Sequence, residues 1–107
     1  MIRRDLLILR SALLSLLDFL QEMRKDKPPY FCKLLETMVN NIDICTWGNY
    51  EDWERLVPKL EGDWKSAYYG FMGISDFHDV IEEQRKGVDY CFEYVQLVTT
   101  IRHFFPE

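Results

Sequence analysis

The chain has 107 residues, the size of one domain, and 48% of them are hydrophobic while 29% are charged. This balance can fill a single core and excludes a membrane-embedded protein. Only five glycines and four prolines are present, which disfavours disorder and a turn-rich β-sandwich or barrel. Three cysteines at unrelated spacings, Cys32, Cys45 and Cys91, indicate free thiols in a reducing cytoplasm rather than a disulfide framework.

The first predicted helix covers residues 2–26. Its apolar side chains recur every three or four positions and so share one helical stripe: Ile2, Leu6, Leu9, Leu13, Leu16, Leu20 and Met23. We expect this stripe to pack into the core, and a coiled-coil dimer seam is the alternative. Pro28 and Pro29 end the helix. Charged residues within the apolar run, and the lack of a small-residue cleavage site, exclude a membrane span and a signal peptide.

The middle of the chain predicts shorter helices. One covers residues 29–43 and is followed by a connector at 44–48. A helical face then begins at Trp53, with a break or kink expected at Pro58 because proline has no backbone N–H. The face continues over 58–69 to the glycine-containing turn at 70–73, and a further helix is predicted over 75–86.

The last predicted helix runs from Val88 to Phe105. Its apolar stripe consists of Cys91, Tyr94, Val95, Val98, Ile101 and Phe105. Because the segment 95–101 is rich in β-branched residues, a strand is the competing prediction there. We therefore predict an all-α, single-domain bundle over residues 1–107, with five or six helices of which the first and last are long.

Catalytic and metal-binding patterns are weak in this sequence. No Gly-x-Ser-x-Gly, Cys–His or His-Glu-x-x-His signature occurs. Asp76, His78 and Asp79 form the best metal-ligand group and support a metal-dependent enzyme as a rival hypothesis. Thr99, Thr100 and His103 are explained more simply by hydroxyls that bond their own helix backbone. We expect no enzyme activity, no bound metal and no cofactor.

The net charge of −5 is unevenly distributed. Residues 1–27 sum to +2 and residues 28–107 to −7. The second segment contains acidic side chains beside large rings, and we predict that these bind a basic protein partner: Tyr50, Glu51, Asp52, Trp53, Glu54, Asp76, Asp79, Glu82, Glu83 and Tyr90. Asp89, Glu93 and Tyr94 adjoin the second cluster. Rings supply buried anchor area and carboxylates steer a cationic partner, whereas direct binding of nucleic acid would need a basic face.

Residues 62–77 resemble a pattern found in small bacterial helical proteins. The matching residues are Gly62-Asp63-Trp64 and Tyr69-Gly70-Phe71-Met72-Gly73-Ile74-Ser75. In that pattern Gly-Asp and an apolar residue open a helix that ends in a Gly-x-Met-Gly turn. The common pattern continues with Ser, one free position and Asn-Asp, and this chain departs from it after Ser75 with Asp76-Phe77-His78-Asp79.

In size, acidity and lack of catalytic signatures, the chain is similar to the small cytosolic immunity proteins that protect bacteria from delivered toxins, including contact-dependent growth-inhibition toxins. The resemblance implies a cytoplasmic protein that occludes the basic groove of a toxin, typically a nuclease. It assigns no individual binding residue. We expect a monomer without membrane association, and a dimeric helical adaptor joined through the first helix is the alternative.

Overall fold

The computed structural model describes residues 3–23, 29–47, 53–70, 73–74 and 88–105. They form four helices: α1 (Arg3–Met23), α2 (Phe31–Trp47), α3 (Trp53–Tyr69) and α4 (Val88–Arg102). No strand occurs within these ranges, so the predicted all-α class is confirmed. The helix predicted over 75–86 lies outside the described residues, and the total of five or six helices stays a prediction.

The apolar stripe of α1 forms the centre of the core. Five of its leucines are completely buried: Leu6, Leu9, Leu13, Leu16 and Leu20. They face α2 and α4, both of which pack against α1. The predicted packing of the stripe into the core is thereby confirmed. A dimer seam through the same stripe is wrong, because these side chains are already used by their own chain.

Helix α2 begins after Pro29, whose carbonyl accepts a hydrogen bond from the backbone N–H of Cys32 at 3.1 Å. The helix continues to Trp47, so the predicted end at residue 43 and the connector from 44 are wrong. Ile44 and Thr46 are β-branched, which lowers their helix propensity. Thr46 is nevertheless accommodated in the helix, because its hydroxyl donates to the Ile42 carbonyl at 3.0 Å.

Helix α3 is continuous through Pro58, so of the predicted kink or break the break does not occur, and the kink stays a prediction. Pro58 lies on the exposed side of the helix, so water can bond the backbone carbonyl that its missing N–H leaves unpaired. Gly62 also lies within α3. The Gly62-Asp63-Trp64 sequence therefore does not open a helix here, in contrast to the pattern it resembles.

Residues 95–101 lie within helix α4, so the alternative prediction of a strand there is wrong. Its described buried side chains are spaced at three or four residues, as one face of a helix requires: Tyr94, Val98 and Ile101. Phe105, which is also buried, follows three residues after the end of the helix. Val95 was assigned to the same stripe, but it is about half exposed. It lies about 100° away from Tyr94 around the helix axis, and the core covers only the Tyr94 side.

The turn after α3 is attached to the core by backbone and side-chain hydrogen bonds. The N–H of Gly73 donates to the carbonyl of Gly70 at 2.9 Å, which confirms the predicted tight turn. The buried hydroxyl of Tyr94 donates to the carbonyl of Ile74 at 2.7 Å. One hydrogen bond thus joins the turn to α4, across twenty residues of sequence.

Candidate functional site

The side chains of all ten residues predicted to bind a partner lie outside the described part of the structure. Trp53 and Glu54 have their backbone in the first turn of α3, and Tyr90 has its backbone in α4. The other seven, Tyr50, Glu51, Asp52, Asp76, Asp79, Glu82 and Glu83, fall in segments that are not described. The two acidic clusters therefore stay predictions.

Tyr94 adjoins the second acidic cluster in the sequence, but its ring lies in the core. It also belongs to the predicted apolar stripe of the last helix, and it is only 2% exposed. Its ring stacks on Phe19 of α1 with centroids 5.9 Å apart. Burial, together with the nearby Tyr68 and Cys32, raises the pKa of Tyr94 well above its usual value. Tyr94 is a core residue that stays neutral at physiological pH.

The described side chains are close to balanced in charge. They include eight acidic residues, Asp5, Asp18, Glu22, Glu36, Asp43, Glu61, Asp63 and Glu93, and seven basic residues, Arg4, Arg10, Lys33, Arg55, Lys59, Lys65 and Arg102. Most of the net charge of −5 therefore belongs to the segments outside the described residues.

The most exposed large apolar side chain of the described helices, Trp47, lies at the end of α2, and Ile44 lies beside it in the same turn. Trp47 is 87% exposed and Ile44 is 61% exposed. They are three positions apart, so they share one side of the last helical turn. We call them the Ile44–Trp47 patch. An indole with so little contact to its own chain offers a large apolar area to a binding partner.

The rest of the outward side of α2 is polar, which makes the patch unusual on its own helix. The exposed residues before it are Lys33, Glu36, Thr37 and Asn40, whereas the opposite side of α2 is buried in the core. Ile44 and Trp47 continue this outward stripe at helical spacing. The helical periodicity of α2 therefore places both side chains on the side that faces away from the core.

An ion pair holds the carboxyl-terminal part of α2 against α1. The guanidinium Nε of Arg10 lies 2.6 Å from the carboxylate of Asp43, and each side chain is about one-third exposed. Asp43 directly precedes Ile44 in the sequence. The backbone that carries the patch is therefore attached to the neighbouring helix, and binding there requires little ordering of the chain.

Sequence reasoning missed the Ile44–Trp47 patch because it placed residues 44–48 in a connector. A signal was available. Continuing the helical period of α2 past residue 43 puts Ile44 and Trp47 on the stripe otherwise occupied by polar residues. Two apolar side chains on a polar stripe indicate a binding surface more directly than acidic residues do.

A second aromatic group links the end of α3 to α4. The guanidinium of Arg102 lies 4.9 Å from the centre of the Tyr68 ring and donates a 3.2 Å hydrogen bond to its hydroxyl. Tyr69 is exposed and meets Tyr68 edge-on, with ring centroids 4.8 Å apart. Since Arg102 is already engaged by Tyr68, this group serves to hold α3 and α4 together.

Two groups that could carry chemistry, Thr100 and Cys32, are engaged in their own helix or buried. The hydroxyl of Thr100 donates to the Gln96 carbonyl at 2.9 Å, which confirms the helix-backbone explanation for that residue. Burial, and secondarily Glu36, raises the pKa of the Cys32 thiol to about 11, so it is not a nucleophile at neutral pH. No cluster of three metal-ligating side chains occurs among the described residues.

None of the helices in the described ranges is both long enough and apolar enough to cross a bilayer. Comparisons with protein-family models, curated protein sequences and solved structures found no match for this chain. Its function must therefore be argued from its own surface.

Proposed function

We propose that this protein is a cytoplasmic, non-enzymatic immunity protein that neutralises a basic bacterial toxin domain, a nuclease, by covering its active or substrate-binding site. The observation that carries the proposal is the exposure of Trp47 beside Ile44 on an otherwise polar helix surface. The resemblance in size and acidity to toxin-neutralising immunity proteins supplies the class of partner. The protein acts by binding, and it needs no cofactor.

Trp47 is suited to be an anchor of such an interface. Tryptophan is enriched among the few residues that dominate protein–protein binding energies, and truncation of an anchor typically costs about 2 kcal/mol or more. Its exposed indole can be buried by a partner without rearrangement of the core. The neighbouring Ile44 extends the apolar contact along the same turn of α2.

The acidic sequence after Trp47 provides the complementary charge. Glu51, Asp52 and Glu54 follow within seven positions, together with the rings of Tyr50 and Trp53. Carboxylates at the rim of an apolar contact attract arginine and lysine and increase the association rate at low salt. A nuclease binds the phosphate backbone of its nucleic-acid substrate through such cationic side chains. A protein that engages them keeps the nucleic acid out.

The proposal is tested by co-expression with candidate basic toxin domains, taken first from any open reading frame next to this gene. Cells that make both proteins should survive, whereas cells that make the toxin alone should die. Titration calorimetry of the two purified proteins should then show that Trp47→Ala weakens binding by about 30-fold or more. Tyr69→Ala is the matched control, because it removes an exposed ring from a different helix.

Either of two results would overturn the proposal. Unchanged killing in the presence of this protein would exclude neutralisation of that toxin. Tight binding that Trp47→Ala leaves unchanged would exclude the patch as the anchor. The variant remains informative because Trp47 makes few contacts with its own chain, so the free energy of unfolding should change by less than about 0.5 kcal/mol.

A further inference from the structure

The outward face of α1 carries apolar side chains that the fold leaves uncovered. Leu7 is 46% exposed and Ile8 is 47% exposed, although both belong to the helix that forms the centre of the core. They lie on the side of α1 opposite its buried leucines, together with Arg4 and Ser11. This surface is separate from the Ile44–Trp47 patch, which lies on α2.

Charged and small residues are arranged symmetrically along this face. Arg4, Ser11 and Asp18 are separated by seven residues each, or about 10.5 Å along the axis. Seven residues return almost to the same side of a helix, so the three lie on one line. All three are exposed, and neither Arg4 nor Asp18 forms an ion pair with another described residue.

This arrangement is self-complementary in one direction only. If two copies of α1 pack antiparallel about a two-fold axis at Ser11, Arg4 of each copy lies opposite Asp18 of the other. Leu7 and Ile8 then face the second half of the partner helix, where Leu14 is partly exposed. A parallel pair would place like charges opposite each other at both ends.

We propose that the outward face of α1 binds a second copy of this chain, forming an antiparallel two-fold dimer centred on Ser11. Two-fold interfaces use the same surface of both subunits, as this pattern requires. A small side chain at the axis allows the two backbones to approach closely. Because one helix face from each copy is a small interface, we expect association to be weak and to depend on protein concentration and salt.

Sedimentation equilibrium on the purified chain tests this dimer without any toxin, from about 10 µM to about 1 mM protein at low salt. Each of the single variants Arg4→Glu and Asp18→Arg places like charges opposite each other at both ends of the interface. Each should weaken dimerisation about tenfold or more. The double variant should restore it, because opposite charges face each other again. Lys33→Glu and Glu36→Arg are matched controls on the outward side of α2.

A chain that stays monomeric over the whole concentration range would overturn the proposal. So would single variants that dimerise as well as the parent, or a double variant that does not recover. Dimerisation lost in Trp47→Ala, but kept in the charge variants, would place the contact on α2 instead. Circular dichroism of each variant separates lost association from lost folding. These outcomes do not depend on whether the protein binds a toxin, so failure of the dimer proposal can be distinguished from failure of the proposed function.

Discussion

Tyr94→Phe removes a buried side-chain hydrogen bond that joins α4 to the turn after α3. The Tyr94 hydroxyl donates to the Ile74 carbonyl at 2.7 Å, and both residues are almost fully buried. Phenylalanine keeps the ring that stacks on Phe19. The substitution therefore removes only the hydroxyl and leaves a buried carbonyl without that donor.

The expected loss at neutral pH follows from the cost of a buried polar group without its partner. Such a loss destabilises a protein by about 1–3 kcal/mol. For a domain of this size, each 1 kcal/mol corresponds to a fall in Tm of about 4–8 °C. Tyr69→Phe is the matched control, because Tyr69 is exposed, and it should change the free energy of unfolding by less than about 0.5 kcal/mol.

The same substitution should also change how the free energy of unfolding depends on pH in the alkaline range. Burial raises the pKa of Tyr94 above its value in the unfolded chain, which is about 10. The folded protein holds this proton more tightly, so the resulting stabilisation is complete at neutral pH and is lost as the pH rises above about 10. Tyr94→Phe lacks the group and should not show this loss.

Urea denaturation followed by circular dichroism at several pH values between about 7 and 11 measures both effects. The stability difference between the parent protein and Tyr94→Phe should be largest at neutral pH and should shrink above about pH 10. Equal stability at neutral pH would refute the buried hydrogen bond. A difference that grows with alkaline pH would refute the direction of the pKa change.

Three other predictions concern the described helices. Gly62→Ala should stabilise the protein by about 0.5–1 kcal/mol, because its methyl group meets no atom within 4 Å, whereas Gly70→Ala should destabilise it, because its methyl group would lie 2.6 Å from a backbone carbonyl oxygen. Thermal unfolding of both variants checks the opposite signs. A double-mutant cycle on Arg10 and Asp43 should give a coupling of about 0.5–1 kcal/mol that decreases with salt, and a salt-independent value would contradict a partly exposed ion pair. Because burial raises the pKa of the Cys32 thiol to about 11, a thiol reagent at about pH 8 should modify Cys32 only as the protein opens. Immediate labelling of Cys32 itself, as distinct from the partly exposed Cys45, would be the contrary result.

The helices were predictable wherever local sequence decides them. The stripe of α1 is visible without a structure, because leucines at alternating three- and four-residue spacing can be buried together only on a helix. The errors in α2 and α3 have a different origin. Thr46 and Pro58 both have low helix propensity, but the helices tolerate them. The Thr46 hydroxyl bonds a carbonyl of its own helix, and Pro58 faces solvent.

The candidate site was less predictable, because exposure depends on which neighbouring helix covers a side chain. Tyr94 and Trp47 show this in opposite directions. The sequence placed Tyr94 both on an apolar stripe and beside an acidic cluster, and it is buried because α1 and the turn after α3 cover it. Trp47 was assigned to a connector, and the structure makes it the most exposed large apolar residue of the described helices.

Hydrophobic periodicity by itself determined that the chain is helical and that the α1 leucines lie in its core, because burying apolar area is the dominant stabilising contribution and requires one continuous face. Tertiary structure alone decided which rings stay outside. The packing of α1, α2 and α4 covers one side of each helix and leaves the other side free. Trp47, Leu7 and Ile8 are exposed for that reason, and they are the residues from which the two binding proposals arise.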